Sequence, residues 1–243
     1  MASPGTASFT LPRSTIRTAA ACAVVLFGSL FLPQHSASQS ASDPALIAQI
    51  DAAVRHRETD LAGYTVEEHY TINNSHFNDP AIAVVKVTYT RDSGKHYEVV
   101  SRTGPSLLAT RLLNSMLAEE QTLSVDPSRS SSVVTSANYT MSYTGSEDMD
   151  GRHCEVLTIT PKVKTPYVMD GRIWVDARSK LMVRMEGITP KSPSFLAGKP
   201  AIARDYGEQS GYSLATHSHA TSSGLFTGKT VIDIDYVHYR LTP

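Results

Sequence analysis

The second half of the chain reads as a succession of short strands joined by turns, and this pattern restricts the fold more than any other feature. Seven segments rich in Thr, Tyr, Val and Ile show strand character, namely residues 133–143, 152–161, 167–176, 181–188, 201–206, 211–222 and 230–241. Consecutive strands with short turns form an antiparallel meander. The pattern therefore predicts an α+β, mainly β fold built on one antiparallel sheet.

Three further strands are predicted in the first half of the chain. The period of two begins at Tyr64 with the segment YTVEEHYTI. Residues 81–104 then read as two strands joined by a turn at Asp92, Ser93 and Gly94. No internal repeat and no linker long enough to separate two domains is visible.

Two helices are predicted beside these strands. Ser42 or Asp43 can cap the first helix, Pro44 suits its first turn, and it ends near Gly63. Its apolar stripe consists of Leu46, Ile47, Ile50, Val54 and Leu61. The second helix begins at Pro105 and carries a broader band, Leu107, Leu108, Leu112, Leu113, Met116 and Leu117. Each helix has one apolar face that another element must cover.

The N-terminal residues have the layout of a secretory signal. Arg13 and Arg17 precede an apolar run at residues 19–32, and small residues follow at 36–38. The run is shorter than the roughly 20 residues of a membrane-spanning helix. The prediction is a signal peptide at residues 1–38, cleaved after Ser38, and a single domain at residues 39–243; a retained membrane anchor is the alternative.

Charge and cysteine content exclude two classes of protein. The whole chain has 22 basic and 23 acidic side chains, and removal of the two signal arginines leaves a net charge near −3. Such a surface has no electrostatic footprint for nucleic acid. Cys154 is the one cysteine left after cleavage, so the fold must be stabilised by an apolar core instead of internal disulfides.

Four segments resemble a known family. They are ANYTMSYTGSEDMDGRHCEVLTITPK, DGRIWVDARSKLMVRMEG, KSPSF and IDIDYVHYRL, and they resemble the exported bacterial proteins grouped as LolA-like or outer-membrane lipoprotein-sorting proteins. The likeness covers roughly Tyr64 to Leu241. It implies an incomplete, half-open β-barrel, a strongly curved sheet with helices and, in carriers, an acyl chain on its concave side. It also implies a periplasmic location, an apolar lining and no catalytic residue. Residues 212–215 depart from the aromatic-Leu-Pro sequence of many relatives.

The hairpin MDGRIWVDARSKLMVRMEG contains the single tryptophan of the chain. Pairing Asp176 with Lys180 predicts that Trp174 and Met182 share one face of the sheet. That face also carries Arg172, Arg184 and Glu186, whereas the opposite face carries Ile173, Val175, Leu181, Val183 and Met185. Apolar residues on both faces indicate that the second helix or a ligand covers Trp174. The alternative is that Trp174 stacks on Arg172 or Arg184 at the surface.

Two histidines and two aspartates recur at strand spacing near the C-terminus. If the turn GLFTGK places His219 opposite Asp233 and His217 opposite Asp235, four side chains that suit zinc would cluster. A slip of one residue separates the histidines from the aspartates, and solvent-facing hairpin positions explain the same residues. These four are weak candidates, and neither a metal site nor a cofactor is predicted.

The sequence contains no convincing catalytic set. His153 and Cys154 are neighbours in a strand, so their side chains point to opposite faces and the histidine cannot accept the thiol proton. No Gly-x-Ser-x-Gly elbow and no Gly-rich phosphate loop is present. A non-enzymatic protein is therefore predicted.

One long loop is a candidate for function. Residues 187–200 combine three prolines, two glycines and Phe195 with Leu196. A loop of this length between strands is often a lid or a partner contact. The alternative is a packed connection anchored by Phe195.

Two functional hypotheses follow. In the first, the protein is an exported carrier or sensor that binds an acyl chain, lipid or lipoprotein in the concavity, with peripheral or no membrane contact. Its ligand-lining residues are then Trp174, Met182, Leu108, Leu112 and Met116. In the second, the protein's own helix fills the concavity permanently, and the protein is an interaction module for an envelope protein partner.

Overall fold

Ten antiparallel strands form one continuous sheet in the computed structural model, which describes residues 43–192, 198–224 and 228–242. The strands are β1 Gly63–Asn74, β2 Ala81–Thr90, β3 Gly94–Thr103, β4 Tyr139–Met149, β5 Arg152–Pro161, β6 Asp170–Asp176, β7 Met182–Ile188, β8 Ala201–Gln209, β9 Tyr212–Gly224 and β10 Gly228–Thr242. Their order is β3-β2-β1-β10-β9-β8-β7-β6-β5-β4. Since β3 and β4 are both edges, the sheet is not closed into a barrel, and the predicted α+β, mainly β half-barrel is confirmed. The predicted signal peptide lies outside the described residues.

The helices form where the sequence predicts them. Helix α1 spans Pro44–Asp60, and the Asp43 side chain caps it by accepting hydrogen bonds from the backbone N–H groups of Ala45 and Leu46 at 2.9 and 3.3 Å. The second helical stretch begins as a π-helix, Leu107–Leu112, and continues as α2, Leu113–Val125. A 3-10 helix, Pro127–Ser132, then leads towards β4.

Both helices pack on the same face of the sheet. Residues that are directly paired in an antiparallel sheet point to the same side, and one such row crosses six strands: Ile173, Met185, Arg204, Ser218, Ile234 and Tyr70. Ile173 belongs to the apolar cluster under α1, and Tyr70 to the cluster under α2. We call this the inner face and the opposite side the outer face.

The inner face carries two separate apolar clusters. In the α2 cluster, Leu108, Leu113 and Leu117 are buried against β1, β2 and β10. In the α1 cluster, Leu46 and Ile50 are buried against β4, β5 and β6. The clusters share no member, so each helix stabilises its own part of the sheet.

The sheet curves strongly enough to bring its two ends towards each other. Helix α2 lies against β3 at one edge, where the Ser124 hydroxyl accepts a hydrogen bond from the backbone N–H of Lys95 at 2.8 Å. Tyr167 lies in the loop between β5 and β6, near the other edge, and donates a hydrogen bond to Glu119 of α2 at 3.2 Å. A flat sheet could not make this contact across ten strands.

A pair of glycines lies where β6 meets β7. Gly171 and Gly187 are direct partners. A Cβ atom on Gly171 would lie 2.0 Å from the carbonyl oxygen of Glu186, and one on Gly187 would lie 2.3 Å from that of Asp170. The two backbones therefore approach more closely than any side chain would permit.

We expect Gly171→Ala to lower the free energy of unfolding by about 1–3 kcal/mol, because the added methyl group overlaps backbone atoms that cannot turn aside. Urea denaturation followed by circular dichroism measures the change. Gly207→Ala is the control, since its Cβ would meet a single side-chain methyl, Cγ2 of Thr216, at 2.9 Å. Equal midpoints for the two variants would contradict the prediction.

The predicted register of the Trp174 hairpin is wrong. Trp174 pairs with Arg184 and Val175 pairs with Met182, with a register shift between the two pairs. As a result Met182 packs at the margin of the α1 cluster on the inner face, and Val183 joins Trp174 on the outer face.

The turn itself explains the shift. The Asp176 carboxylate accepts hydrogen bonds from the backbone N–H groups of Arg178 and Ser179, both at 2.8 Å. Lys180 adopts a left-handed conformation with φ of 59°. This turn places both Lys180 and Leu181 opposite Asp176: the Lys180 N–H donates to the Asp176 carbonyl, and the Asp176 N–H donates to the Leu181 carbonyl, both at 2.9 Å. A bulge after Leu181 then restores the pairing of β7.

Candidate functional site

The candidate site is the part of the inner face that lies between the two clusters, which we call the hollow. Its floor is formed by β8 and β9, with Ile202 and Arg204 on the first strand and Ser218, Ala220 and Ser222 on the second. The side chains on β9 are small. Ile202 and Ala220 remain partly exposed, so apolar surface is accessible there.

Several larger apolar side chains lie at the margins of the two clusters. Leu112 and Met116 pack at the margin of the α2 cluster, and Met182 and Met185 pack at the margin of the α1 cluster. All four are partly exposed. Three of the five predicted ligand-lining residues, Leu112, Met116 and Met182, therefore lie on the inner face with surface still available.

Leu108, the fourth, lies on the same face but is buried between its helix and the sheet, with 3% of its surface exposed. It stabilises the position of the π-helix and presents almost no surface to a ligand.

Trp174 lies on the outer face, and the prediction that it shares a lining with Leu108, Leu112 and Met116 is wrong. It is 3% exposed and packs with Cys154, Val156 and Val183. Its indole N–H donates a hydrogen bond to Glu147 at 2.9 Å, and the Arg172 guanidinium lies 4.7 Å from the ring centre. Side chains of its own face therefore cover the indole, and the second helix does not.

The hollow also contains a cluster of charged side chains that the sequence pattern does not predict. Lys95 on β3 forms an ion pair with Glu120 on α2. Both side chains keep contact with solvent, with exposed fractions of 21% and 41%. Burial favours the neutral form of Glu120, but the neighbouring ammonium group of Lys95 outweighs it and lowers the Glu120 pKa.

Glu68 is the most buried acid of this cluster, with 2% of its surface exposed. It accepts a hydrogen bond from the Tyr70 hydroxyl at 2.5 Å. Burial raises the pKa of Glu68 to about 7, because the charged form loses its hydration, while Lys95 acts in the opposite direction. Glu68 therefore changes charge near neutral pH.

Arg204 and several tyrosines complete the cluster. The Arg204 guanidinium donates from Nε to the Ser218 hydroxyl at 2.8 Å, and the Tyr206 hydroxyl lies near it. Burial raises the pKa of Tyr236 to about 12, so this hydroxyl stays protonated at neutral pH. The Tyr97 hydroxyl is buried beside Lys95 and has no hydrogen-bond partner of ordinary geometry among the described residues. The lining of the hollow is thus partly polar, which corrects the purely apolar lining that the resemblance implies.

One sequence signal could have revealed these residues. Glu68 lies between Val66 and Tyr70 in the inward-pointing series of β1, and Arg204 lies two residues from Ile202 in that of β8. A charge at a position where the alternation requires an apolar residue is costly unless it has a partner or a function.

Of the two registers that the sequence left open, the structure adopts the one in which the histidines face the aspartates, on the outer face. His219 pairs with Asp233 and His217 with Asp235 in the register of β9 and β10, and their Nδ1 atoms lie 2.6 and 2.8 Å from the carboxylates. His217 Nε2 also lies 3.9 Å from Asp233, so this aspartate contacts both histidines. Within residues 43–192, 198–224 and 228–242, no group of three or more such side chains is placed to hold a metal ion.

Cys154 is fully buried beside Trp174, and burial raises the pKa of its thiol. His153 is exposed and lies 2.9 Å from Asp148. The two neighbours therefore point to different sides of the strand, as predicted, and they form no nucleophile and base pair.

The long loop is described only at its ends. The backbone N–H of Thr189 donates to the carbonyl of Pro200 at 3.1 Å, which holds these ends together. Phe195 and Leu196 lie outside the described residues. A cavity of about 500 Å³ lies beside this region and is lined by residues that include Ile188, Ala203 and His219.

An open, curved sheet with helices on one face and an amphipathic hollow is the architecture of a binding module. A family model described as the MucB/RseB N-terminal domain matches residues 84–192 of this chain. This match supports the LolA-like assignment made from the sequence. The match agrees with the prediction of a non-enzymatic protein.

Several solved structures are similar to this one, and their sequence identity to this chain is low. A LolA superfamily protein from Nitrosomonas europaea is 11% identical, with 81% of this chain and 94% of that chain covered and a TM-score of 0.46. A domain described as an outer membrane lipoprotein-sorting protein domain from Vibrio parahaemolyticus is 12% identical, with 80% and 91% covered and a TM-score of 0.45.

A third similar structure is the MucA/MucB complex of Pseudomonas aeruginosa, at 10% identity, 82% and 98% coverage and a TM-score of 0.26. No curated protein matches the sequence. None of the helices that the structure describes is both long and apolar enough to cross a membrane.

Proposed function

We propose that this chain is an exported, non-enzymatic binding module that holds the acyl chain of a lipid or lipoprotein in the hollow between α1 and α2. The observation that carries the proposal is the partly exposed apolar surface of Ile202 and Ala220, with Leu112, Met116 and Met185 at the cluster margins. The predicted signal at residues 1–38 would deliver the protein to the periplasm, where LolA-like and MucB/RseB proteins act.

The energetics of this binding are favourable. Burial of one methylene group contributes about 0.8 kcal/mol, so a chain of about a dozen methylenes supplies several kcal/mol after the costs of ordering the complex. The two helices need not unfold to admit such a chain, because they pack on separate clusters and share no buried residue.

We expect Ala220→Trp to weaken the binding of a fluorescent fatty-acid probe at least about tenfold, because the indole would fill the floor of the hollow, and tenfold equals about 1.4 kcal/mol. The control is Ala203→Trp, which adds the same group one strand away on the outer face, where Ala203 pairs with His219. Probe titration with both variants, each checked for folding by circular dichroism, measures the effect. Equal affinity for both variants would contradict the proposal.

A second candidate function is supported by one specific observation. Leu113 and Leu117 of α2 are already buried against the sheet, and Leu46 and Ile50 of α1 are buried in the same way. The concavity would then be filled permanently by the protein's own helices, and the protein would be an interaction module for an envelope protein. A folded wild-type protein that binds no acyl probe at any concentration would favour this candidate over the first.

A further inference from the structure

Arg204 carries a positive charge that forms no direct ion pair with a carboxylate of the described chain. Four other arginines each have a carboxylate within 2.6–3.2 Å: Arg57, Arg129, Arg172 and Arg184. Arg204 forms no ion pair with any described residue, and its Nε donates a hydrogen bond to a neutral group, the Ser218 hydroxyl, at 2.8 Å. A partly buried guanidinium with only neutral partners is incompletely compensated.

The nearest acids, Glu120 and Glu68, attract Arg204 without forming a direct ion pair with it. Glu120 is engaged by Lys95, and these two charges cancel each other. Glu68 is held by Tyr70 and takes up a proton near neutral pH. The hollow therefore has an excess of positive charge, centred on Arg204, whenever Glu68 is protonated.

Hydroxyl groups surround the same position. Tyr236 places its hydroxyl 3.3 Å from that of Ser218, which in turn accepts the hydrogen bond from Arg204. Tyr206 lies two residues along β8, and its hydroxyl is also near the guanidinium. Tyrosine hydroxyls and a guanidinium are the donors that a carboxylate or phosphate requires.

The apolar surface of the hollow begins next to this group of donors. Ile202 lies two residues from Arg204 on β8, and Ala220 lies two residues from Ser218 on β9 and pairs with Ile202. A ligand that places a negative group on Arg204 would therefore extend its tail over these two residues.

We infer that Arg204 binds the anionic head group of a single-chain amphiphile, a carboxylate or a phosphate, whose acyl tail lies over Ile202 and Ala220. This inference rests on the proposed function and adds the chemical class of the ligand. It distinguishes the hollow from a pocket that accepts any acyl chain irrespective of its head group.

The test compares a dansyl-labelled undecanoic acid with its methyl ester, which has the same tail and no charge. Wild-type protein should bind the acid about ten- to a hundredfold more tightly, since charge-assisted hydrogen bonds are lost with the ester. Arg204→Gln should bind both probes equally, and Arg204→Lys should regain part of the difference. Competition by lauric acid and by lauroyl lysophosphatidic acid separates the two head groups.

Arg184→Gln is the matched control. Arg184 lies on the neighbouring strand but points to the outer face, where it pairs with Asp205 at 2.6 Å, so its loss should leave the preference for the acid unchanged. Equal binding of acid and ester by wild-type protein would overturn the inference and leave the proposed function standing. Failure of both probes to bind would overturn the two together. The comparison of acid and ester with wild-type protein tests the inference even if Arg204→Gln does not fold.

Discussion

Replacement of Leu113 by alanine is expected to lower the free energy of unfolding by about 2–5 kcal/mol, because it removes a fully buried side chain and leaves a cavity. Leu113 is the first residue of α2 and lies in the α2 cluster between the helix and the sheet. Urea denaturation of both proteins gives the difference directly. The loss should be large because the surrounding strands are part of a continuous sheet and cannot collapse into the space.

Leu107→Ala is the control for this prediction. Leu107 belongs to the same helical stretch but is 48% exposed, so its truncation should change the stability by no more than about 0.5 kcal/mol. Hydrogen exchange adds a second readout, since Leu113→Ala should speed exchange in residues 107–125 more than in α1. If the two variants were equally stable, the proposed role of α2 as a helix fixed to the inner face would be wrong.

This result also bears on how a ligand would enter the hollow. Residues 107–112 form a π-helix, a rare geometry that often marks a functional position within a helix. Leu113 follows directly and fixes the end of this segment to the sheet. A variant that loosens α2 without unfolding the sheet should therefore bind an acyl probe faster than the wild-type protein does.

The elements themselves could be predicted from the sequence because local signals specify them. Asp43 and Pro44 define the start of α1, and the structure shows the Asp43 cap that the pattern predicts. The alternation of apolar and polar residues from Tyr64 onwards defines β1 in the same way. Ten strands in a meander leave few topologies open, so the antiparallel sheet followed from the segments.

The face of the sheet on which each side chain lies was less predictable than the strands themselves. The pairing of His219 with Asp233 was one of two registers that the sequence left open, and the structure adopts it. The Trp174 hairpin was predicted wrongly, because an extra residue at the turn moves Met182 to the inner face and Val183 to the outer face. The bulge in β7 then returns Arg184, Met185 and Glu186 to the faces that were predicted. The extra residue depends on the turn formed by Asp176 and Lys180. The alternation of apolar and polar residues in the sequence gives no information about the backbone conformation of that turn.

The charged cluster could not be predicted for a different reason. Lys95 and Glu120 are far apart in sequence, and each reads as an ordinary surface residue of a strand or a helix. They meet only because α2 folds back over β3. Long-range contacts of this kind depend on how helices lie on a sheet, which a single sequence does not specify.

The buried Glu68 carboxyl makes stability depend on pH, and Glu68→Gln is expected to remove much of that dependence. In the unfolded chain Glu68 loses its proton near its ordinary pKa of 4.5, whereas burial raises its pKa in the folded protein to about 7. Its stabilising contribution is therefore complete below pH 4.5 and is lost as the pH rises to about 7. The difference between these pKa values corresponds to about 3 kcal/mol.

Glutamine can still accept the hydrogen bond from Tyr70 but carries no charge, so the variant should gain stability over wild-type protein between pH 5 and pH 8. Glu67→Gln is the matched control at the adjacent position. A hydrogen bond with His238 lowers the pKa of Glu67, which faces solvent, so this substitution should cause only a small loss that disappears as the pH falls. Urea midpoints at pH 5 and pH 8 for the three proteins measure both effects. Parallel pH profiles for wild-type protein and Glu68→Gln would show that Lys95 and Arg204 keep Glu68 ionised throughout, and would place an additional negative charge in the hollow.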